Sequence, residues 1–470
     1  MKRFRHSSFL RNKKFFFLIG IFWALLITYL NWNNKTMLGL IDYYYNFADL
    51  ISNNFNLNEE IITSTFPMWG YGFVLNLTNS KLFIIGIQLI LFFIFLAFSL
   101  SLKIRKLFKI NNSPLPTILL FLPSYIAIFS TMTPNPLAIF FMTFSIIFYA
   151  LGIDNLKEDQ QLRAKNLFFR RSFLFVILSG LFAGITMNFR SDYTMFFLSM
   201  PIFSIMIFLK WINSKNLIKY FFKKLLTMII AFYFSLFAMM TPWINYTSKN
   251  FNKILITSSN TGHVLFIGLG QLPNNKWNIT TKDSDPVKSI IEEKNGIQSS
   301  LTIEGDTLFK KEFFKLILKS PFEYLKKVCL SFVRVAFGGI YLPEFFEISS
   351  CDVPNQINCR DLAKTIAKGN LKNLFSINLN YFLRISFTIV SFLVSAALVL
   401  TGLVLLPKFI YEAWINRSFV LIFPALAIIY QSLIGVFAFH MPLYMTNVYL
   451  FFVIVISFSF SKNSITAKYN

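Results

Sequence analysis

Long apolar runs separated by short basic clusters set the pattern of the chain. They fall at about Phe15–Leu30, Leu82–Leu102, Leu115–Ser130, Pro136–Leu151, Phe173–Thr186, Tyr193–Leu209, Leu225–Met240, Leu383–Leu406, Phe419–Phe437 and Tyr444–Phe460. Each approaches the roughly 20 residues that a helix needs to cross a hydrocarbon core about 30 Å thick. The pattern predicts an all-α, polytopic transmembrane helical bundle with ten full spans. Phe309 to Ile340 reads as one further helix, amphipathic in its first half and apolar in its second. If the apolar half crosses the membrane, the count is eleven. Ten spans plus one partial or interfacial helix fit the basic flanks better.

Charge then orients the spans. Six basic residues (Lys2, Arg3, Arg5, Arg11, Lys13 and Lys14) and no acids precede Phe15, so the N-terminus is expected in the cytoplasm. Asn31-Trp32-Asn33-Asn34 lacks a small-residue cleavage pattern, so the first run reads as a retained span. Lys103, Arg105, Lys106 and Lys109, then Lys157 to Arg171, then Lys210 to Lys224, and finally Lys408, Arg417, Lys462 and Lys468 fall on the same cytoplasmic side. The loop 31–81, with Asp42, Asp49, Glu59 and Glu60, is expected outside, and so is the mixed polar region 242–328, which resembles a small folded exterior domain. The chain divides into a seven-span region 1–241, an exterior region 242–382 with the long helix 309–340, and a three-span region 383–470. No internal repeat is visible.

Composition narrows the chemistry. Apolar residues make up 55% of 470 positions and charged residues only 14%, which is too apolar for one soluble domain. The net charge of +24 would suggest nucleic acid in a soluble protein, but these basic residues flank apolar runs and act as topology signals, so a nucleic-acid partner is excluded. No GxxxxGK[ST] or GxGxxG occurs, which argues against nucleotide hydrolysis. Three histidines (His6, His263 and His440), no HExxH and only Cys329, Cys351 and Cys359 argue against a metal centre. Asp283 and Asp285 resemble a DxD metal pair but sit among turn formers; no metal or cofactor is indicated. Cys351 and Cys359 could bridge or stay free.

The first exterior loop carries the most informative residues. Asp42 opens Asp42-Tyr43-Tyr44-Tyr45-Asn46-Phe47-Ala48, in which Tyr45 and Ala48 could share a helix face against the membrane surface. An acid held beside aromatics just outside a span could have a raised pKa and serve as a general base; otherwise it is a solvated loop acid. Arg190 lies in the short turn Asn188-Phe189-Arg190-Ser191-Asp192, where it could bind phosphate or snorkel from its span. Lys326, Lys327 and Arg334 are secondary cation candidates, or the basic face of a surface helix. His263 reads as a hydrogen-bonded loop histidine, with an acceptor-pocket role as the alternative. Trp69, Tyr71 and Trp243 read as an interfacial belt, with a sugar platform as the alternative.

The order of these parts resembles the GT-C superfamily of membrane glycosyltransferases, especially the bacterial branch related to protein mannosyltransferases and lipid A aminoarabinose transferases. The resemblance spans nearly the whole chain. It rests on the acid and Tyr-x-x-x-Ala-like helix of Asp42 to Ala48, Phe66-Pro67-Met68-Trp69-Gly70-Tyr71, and the paired spans around Ser130 to Pro136. It also rests on Gly180-Leu181-Phe182-Ala183-Gly184 followed by Arg190, on Pro242-Trp243 followed by Gly262 to Gly268, and on Pro321-Phe322-Glu323-Tyr324-Leu325 followed by Arg334. The acid expected beside Asp42 is Tyr43 here. The resemblance implies an inner-membrane enzyme of the bacterial cell envelope. It would move a sugar from a polyprenyl-phosphate donor to a lipid or glycan acceptor on the exterior face. Asp42 would be the base, and Arg190, Tyr45, Trp69, His263 and Arg334 would be the substrate-binding residues. An O-antigen polymerase or ligase, or a flippase for lipid-linked sugars, is the alternative.

Overall fold

The computed structural model describes residues 13–31, 69–78, 80–110, 115–162, 167–211, 215–338 and 379–466. Asp42, Tyr45, Cys351, Cys359 and most of the first loop lie outside them. The described chain is all helix, with no strand: α1 Lys13–Asn31, α2 Gly70–Thr78, α3 Lys81–Leu100, α4 Leu102–Leu107, α5 Leu115–Leu120, α6 Pro123–Phe129, α7 Asn135–Leu162, α8 Leu167–Phe189 and α9 Thr194–Trp211. There follow α10 Lys215–Phe251, α11 Thr261–Leu269, α12 Pro286–Lys294, α13 Ile303–Lys319, α14 Pro321–Phe337, α15 Leu379–Ile415, α16 Phe419–Phe437, α17 Pro442–Asn447 and α18 Tyr449–Thr466.

Seven of these, α3, α7, α8, α9, α10, α15 and α16, are long and apolar enough to cross a membrane, and α1 and α18 carry shorter apolar stretches. The protein is a membrane-embedded helical bundle. Three expected elements take a different form. The run Leu115–Ser130 is two short helices, because Pro123 starts a new helix at α6 and cannot continue α5. The tenth run begins as α17 and becomes a long helix only at Tyr449. The long helix expected over 309–340 is α13 and α14, broken at Ser320 (φ −142°, ψ 64°) where Pro321, lacking an N–H, opens the second helix.

The chain also does not leave the bundle at Thr241-Pro242-Trp243, since α10 runs through Pro242 to Phe251. Trp243 and Tyr71 are fully buried. Neither belongs to the aromatic belt expected of them.

Packing centres on α7, α8 and α10. Gly180 and Gly184 make this possible: a Cβ on either would stand 2.4 Å from Phe232 O or 2.6 Å from Leu236 O, so the α8 and α10 backbones meet without side chains between them. The two ends of the bundle differ. At one end Asp154 of α7 caps α16 from afar, accepting from Phe419 N (3.0 Å), Val420 N (3.1 Å) and Ser418 Oγ (3.2 Å). Lys109 there donates to Asn416 Oδ1 at 2.7 Å. The opposite, loop-rich end carries the turns at 130–135 and 189–193, the segment 438–441, and the region of α11 to α13. That region has its own small core of Phe266, Ile267, Leu269, Trp277, Ile279, Phe309 and Phe313.

Candidate functional site

The α8–α9 turn is the meeting point of the loop-rich end. Helix α8 ends at Phe189, and Arg190 turns extended (φ −147°) before a single 3-10 turn, Ser191–Tyr193. That geometry folds Arg190 onto the acid two residues later. Its Nε donates to Asp192 Oδ1 at 2.9 Å and its Nη2 to Asp192 Oδ2 at 3.0 Å, a bidentate fork, while Nη1 donates to Asn135 Oδ1 at the start of α7. Tyr430 of α16 donates to the Asp192 carbonyl at 2.8 Å. Tyr193 is buried with its hydroxyl unpartnered, and Tyr444 lies close enough to feel both charges.

Trp69, Arg190 and His263, which the sequence placed far apart, are tied into one framework by the flanks of this turn. Trp69 Nε1 donates to Asn188 Oδ1 at 2.7 Å, and Asn188 Nδ2 donates onward to Gly184 O (3.0 Å) and Met239 O (2.9 Å). Gly70 permits this docking, because a Cβ there would stand 2.7 Å from Asn188 O. On the other flank, Ser191 and Ser258 hydroxyls meet at 2.8 Å, and Ser258 Oγ donates to Asn260 Oδ1 at 2.8 Å, just before α11.

His263 is on α11, not in a loop. Its Nε2 donates to Asp283 Oδ1 at 3.0 Å, so in the neutral ring Nδ1 accepts from Ser300 Oγ at 2.8 Å. The hydrogen bond from His263 holds the Asp283 carboxyl below the usual carboxylate range. Serine, histidine and aspartate in line resemble a nucleophile with its base, but accessibility is reversed: Ser300 is fully buried while the Asp283 side chain is 89% exposed. The trio fastens α11 to the segments around it. Asp285 likewise serves structure, capping α12 through Lys288 N (2.9 Å) and accepting from Thr280 N (2.6 Å) and Thr280 Oγ1 (2.8 Å). Among the described residues no group of three His, Cys, Asp or Glu could hold a metal ion.

Arg334 belongs to a second cluster at the same end. Helix α14 lies across the end of α16: Lys327 Nζ donates to the carbonyls of Val436 (3.1 Å), Phe437 (3.3 Å) and Ala438 (2.7 Å), and a Cβ on Gly338 would meet His440. Gln271 clamps His440 by two backbone bonds, donating to its carbonyl at 2.7 Å and accepting from its N–H at 2.8 Å. Arg334 Nη1 donates to the Gln271 carbonyl at 2.7 Å. Burial, then the positive charges of Arg334 and Lys327, push the His440 imidazole down to about 4.

Asp192, Asn188, Asn135, Tyr430, Gln271, Ser331 and His440 were not singled out by sequence. Asp192 was legible, standing two residues after Arg190, and so was the four-residue spacing of Glu323, Lys327 and Ser331. The others join through contacts more than fifty positions apart. No family model, curated protein or solved structure matches the chain.

Proposed function

We propose that this protein is a membrane glycosyltransferase of GT-C type. It takes a sugar from a polyprenyl-phosphate donor and passes it to a lipid or glycan acceptor at the loop-rich end, which faces the exterior. The observation that carries this reading is the buried Arg190–Asp192 pair, ringed by Asn135, Tyr193, Tyr430 and Tyr444, at the loop-rich end of the bundle. Ionisable groups are costly beside lipid and are kept there for function. Trp69, at the end of the first loop, docks on the same turn. In this reading Asp42 accepts the acceptor's proton. Arg190, Trp69, His263 and Arg334 shape or line the binding region.

A flippase with a basic central cavity is less well supported, because no charged residue occupies the middle of any of the seven long helices. Transfer of labelled sugar from a polyprenyl-phosphate sugar in membranes carrying the chain is the direct test. Asp42→Asn should lower transfer by roughly 10²–10⁴-fold with donor binding retained. An Asn variant that transfers at the wild-type rate would remove Asp42 from the mechanism, and wild-type membranes that transfer no sugar beyond a deletion strain would remove the function.

A further inference from the structure

Helix α14 is amphipathic the wrong way round for a water-facing helix. Glu323, Lys327 and Ser331 are buried against the protein, with Arg334 half-buried one turn on. Phe322 (80% exposed), Leu325 (57%), Phe332 (63%), Val333 (50%) and Phe337 (55%) form the outward stripe. A helix of 17 residues with a polar stripe inside and an apolar stripe outside presents that outer face to acyl chains at the membrane boundary.

The inner stripe carries more positive charge than it neutralises. Glu323 is bonded to Lys276 N (3.3 Å) and to Lys326 Nζ (3.5 Å). Lys327 spends its three N–H groups on the last carbonyls of α16, whose helix dipole partly compensates it. Arg334 has one bond, to a neutral carbonyl, and no acid partner among the described residues. Beside it, two buried polar atoms lack any partner among the described residues: Ser331 Oγ, on a fully buried residue, and His440 Nδ1, on a residue 9% exposed. Gly338 and Gly435 admit the His440 ring between α14 and α16. Unsatisfied polar atoms next to an uncompensated guanidinium are the complement of an anion with several acceptor oxygens.

We infer that Arg334, Ser331 and His440 form a binding site for the phosphate headgroup of a membrane lipid, with its acyl or prenyl chain lying along Phe332, Val333 and Phe337. A phosphate there would take the remaining guanidinium N–H groups of Arg334, the Ser331 hydroxyl and the Nδ1–H of neutral His440. A glycerophospholipid and a polyprenyl phosphate share this headgroup chemistry. Only the second source rests on the transferase reading.

The test is lipid binding to the purified full-length protein in a phosphate-free maltoside detergent, titrated separately with phosphatidylglycerol and with a polyprenyl phosphate. Arg334→Gln keeps a donor for the Gln271 carbonyl while removing the charge, and should weaken binding of the cognate lipid roughly ten- to hundredfold. Ser331→Ala deletes an atom that has no protein partner, so it should fold normally and weaken the same lipid several-fold. Loss confined to the polyprenyl phosphate identifies the donor carrier. Loss confined to phosphatidylglycerol identifies a structural lipid and removes Arg334 from the donor-binding residues, without bearing on the roles of Asp42 and Arg190. Unchanged affinity for both lipids in both variants would overturn the site.

Discussion

Two arginines at the same end of the molecule are handled in opposite ways. Arg190 is closed by its own turn: Asp192, two residues on, takes both arms of the fork, and Asn135 takes the third nitrogen. Among the described residues Arg334 is offered a single neutral carbonyl, beside two polar atoms that none of those residues satisfies. The first arrangement is electrostatically complete within the fold: it ties α7, α8 and α16 together and so sets the shape of the proposed binding region. The second, on a half-buried side chain, is incomplete among the described residues, and that is the gap the proposed lipid phosphate would fill. The sequence places Asp192 two residues after Arg190, and the fold adds that the two pair.

The largest expected effect falls on the closed pair. Asp192→Asn leaves the Arg190 guanidinium buried without its acid and should destabilise the protein by on the order of 3 kcal/mol, seen as a lower unfolding temperature in detergent. Replacing both, Arg190→Met with Asp192→Asn, should recover part of that loss. If Asp192→Asn unfolds like wild type, the pair is not self-sufficient and the contrast with Arg334 collapses.

The scaffold beneath the closed pair is next. Gly180→Ala puts a methyl 2.4 Å from Phe232 O, so α8 and α10 must separate at a cost of about 1–3 kcal/mol. Because Asn188 bridges Gly184 and Met239, the shift should also loosen Trp69, readable as a change in tryptophan fluorescence.

Arg334→Gln sharpens the contrast by its smallness. With no acid to strand and the Gln271 carbonyl still served, lipid-free stability should change by less than about 1 kcal/mol. A loss as large as that of Asp192→Asn would mean that Arg334 is a structural post as well.

The smallest effect lies at His263. The Asp283 carboxyl is held below its ordinary value in the folded state, so its contribution is present above the unfolded carboxylate pKa near 4 and fades as pH falls through the lower folded value. With the carboxylate 89% exposed, solvent screening limits the effect to a few tenths of a kcal/mol. His263→Gln should flatten that acid dependence in a pH series of unfolding curves, and an unaltered slope would show that Asp283 is held by something else.

The sequence by itself determined the class and the rough course of the chain. Runs of apolar residues long enough to cross a bilayer need no partner to be recognised, because a helix satisfies its own backbone wherever water is absent. The glycine pair at Gly180 and Gly184 and the turn that carries Arg190 were legible for the same local reason, whereas the sequence pattern reads through the break at Ser320 and Pro321 as one helix. Only the tertiary structure decided that Pro123 splits one run while Pro242 and Pro424 are absorbed into helices, since neighbouring elements can re-satisfy what a proline removes. It also decided which polar groups share a neighbourhood. Trp69 with Asn188, Asp154 with Phe419, and Arg334 with Gln271 and His440 are joined across 63 to 265 positions. Chemistry of that kind depends on how helices stack and cross, and no local pattern along the chain encodes it.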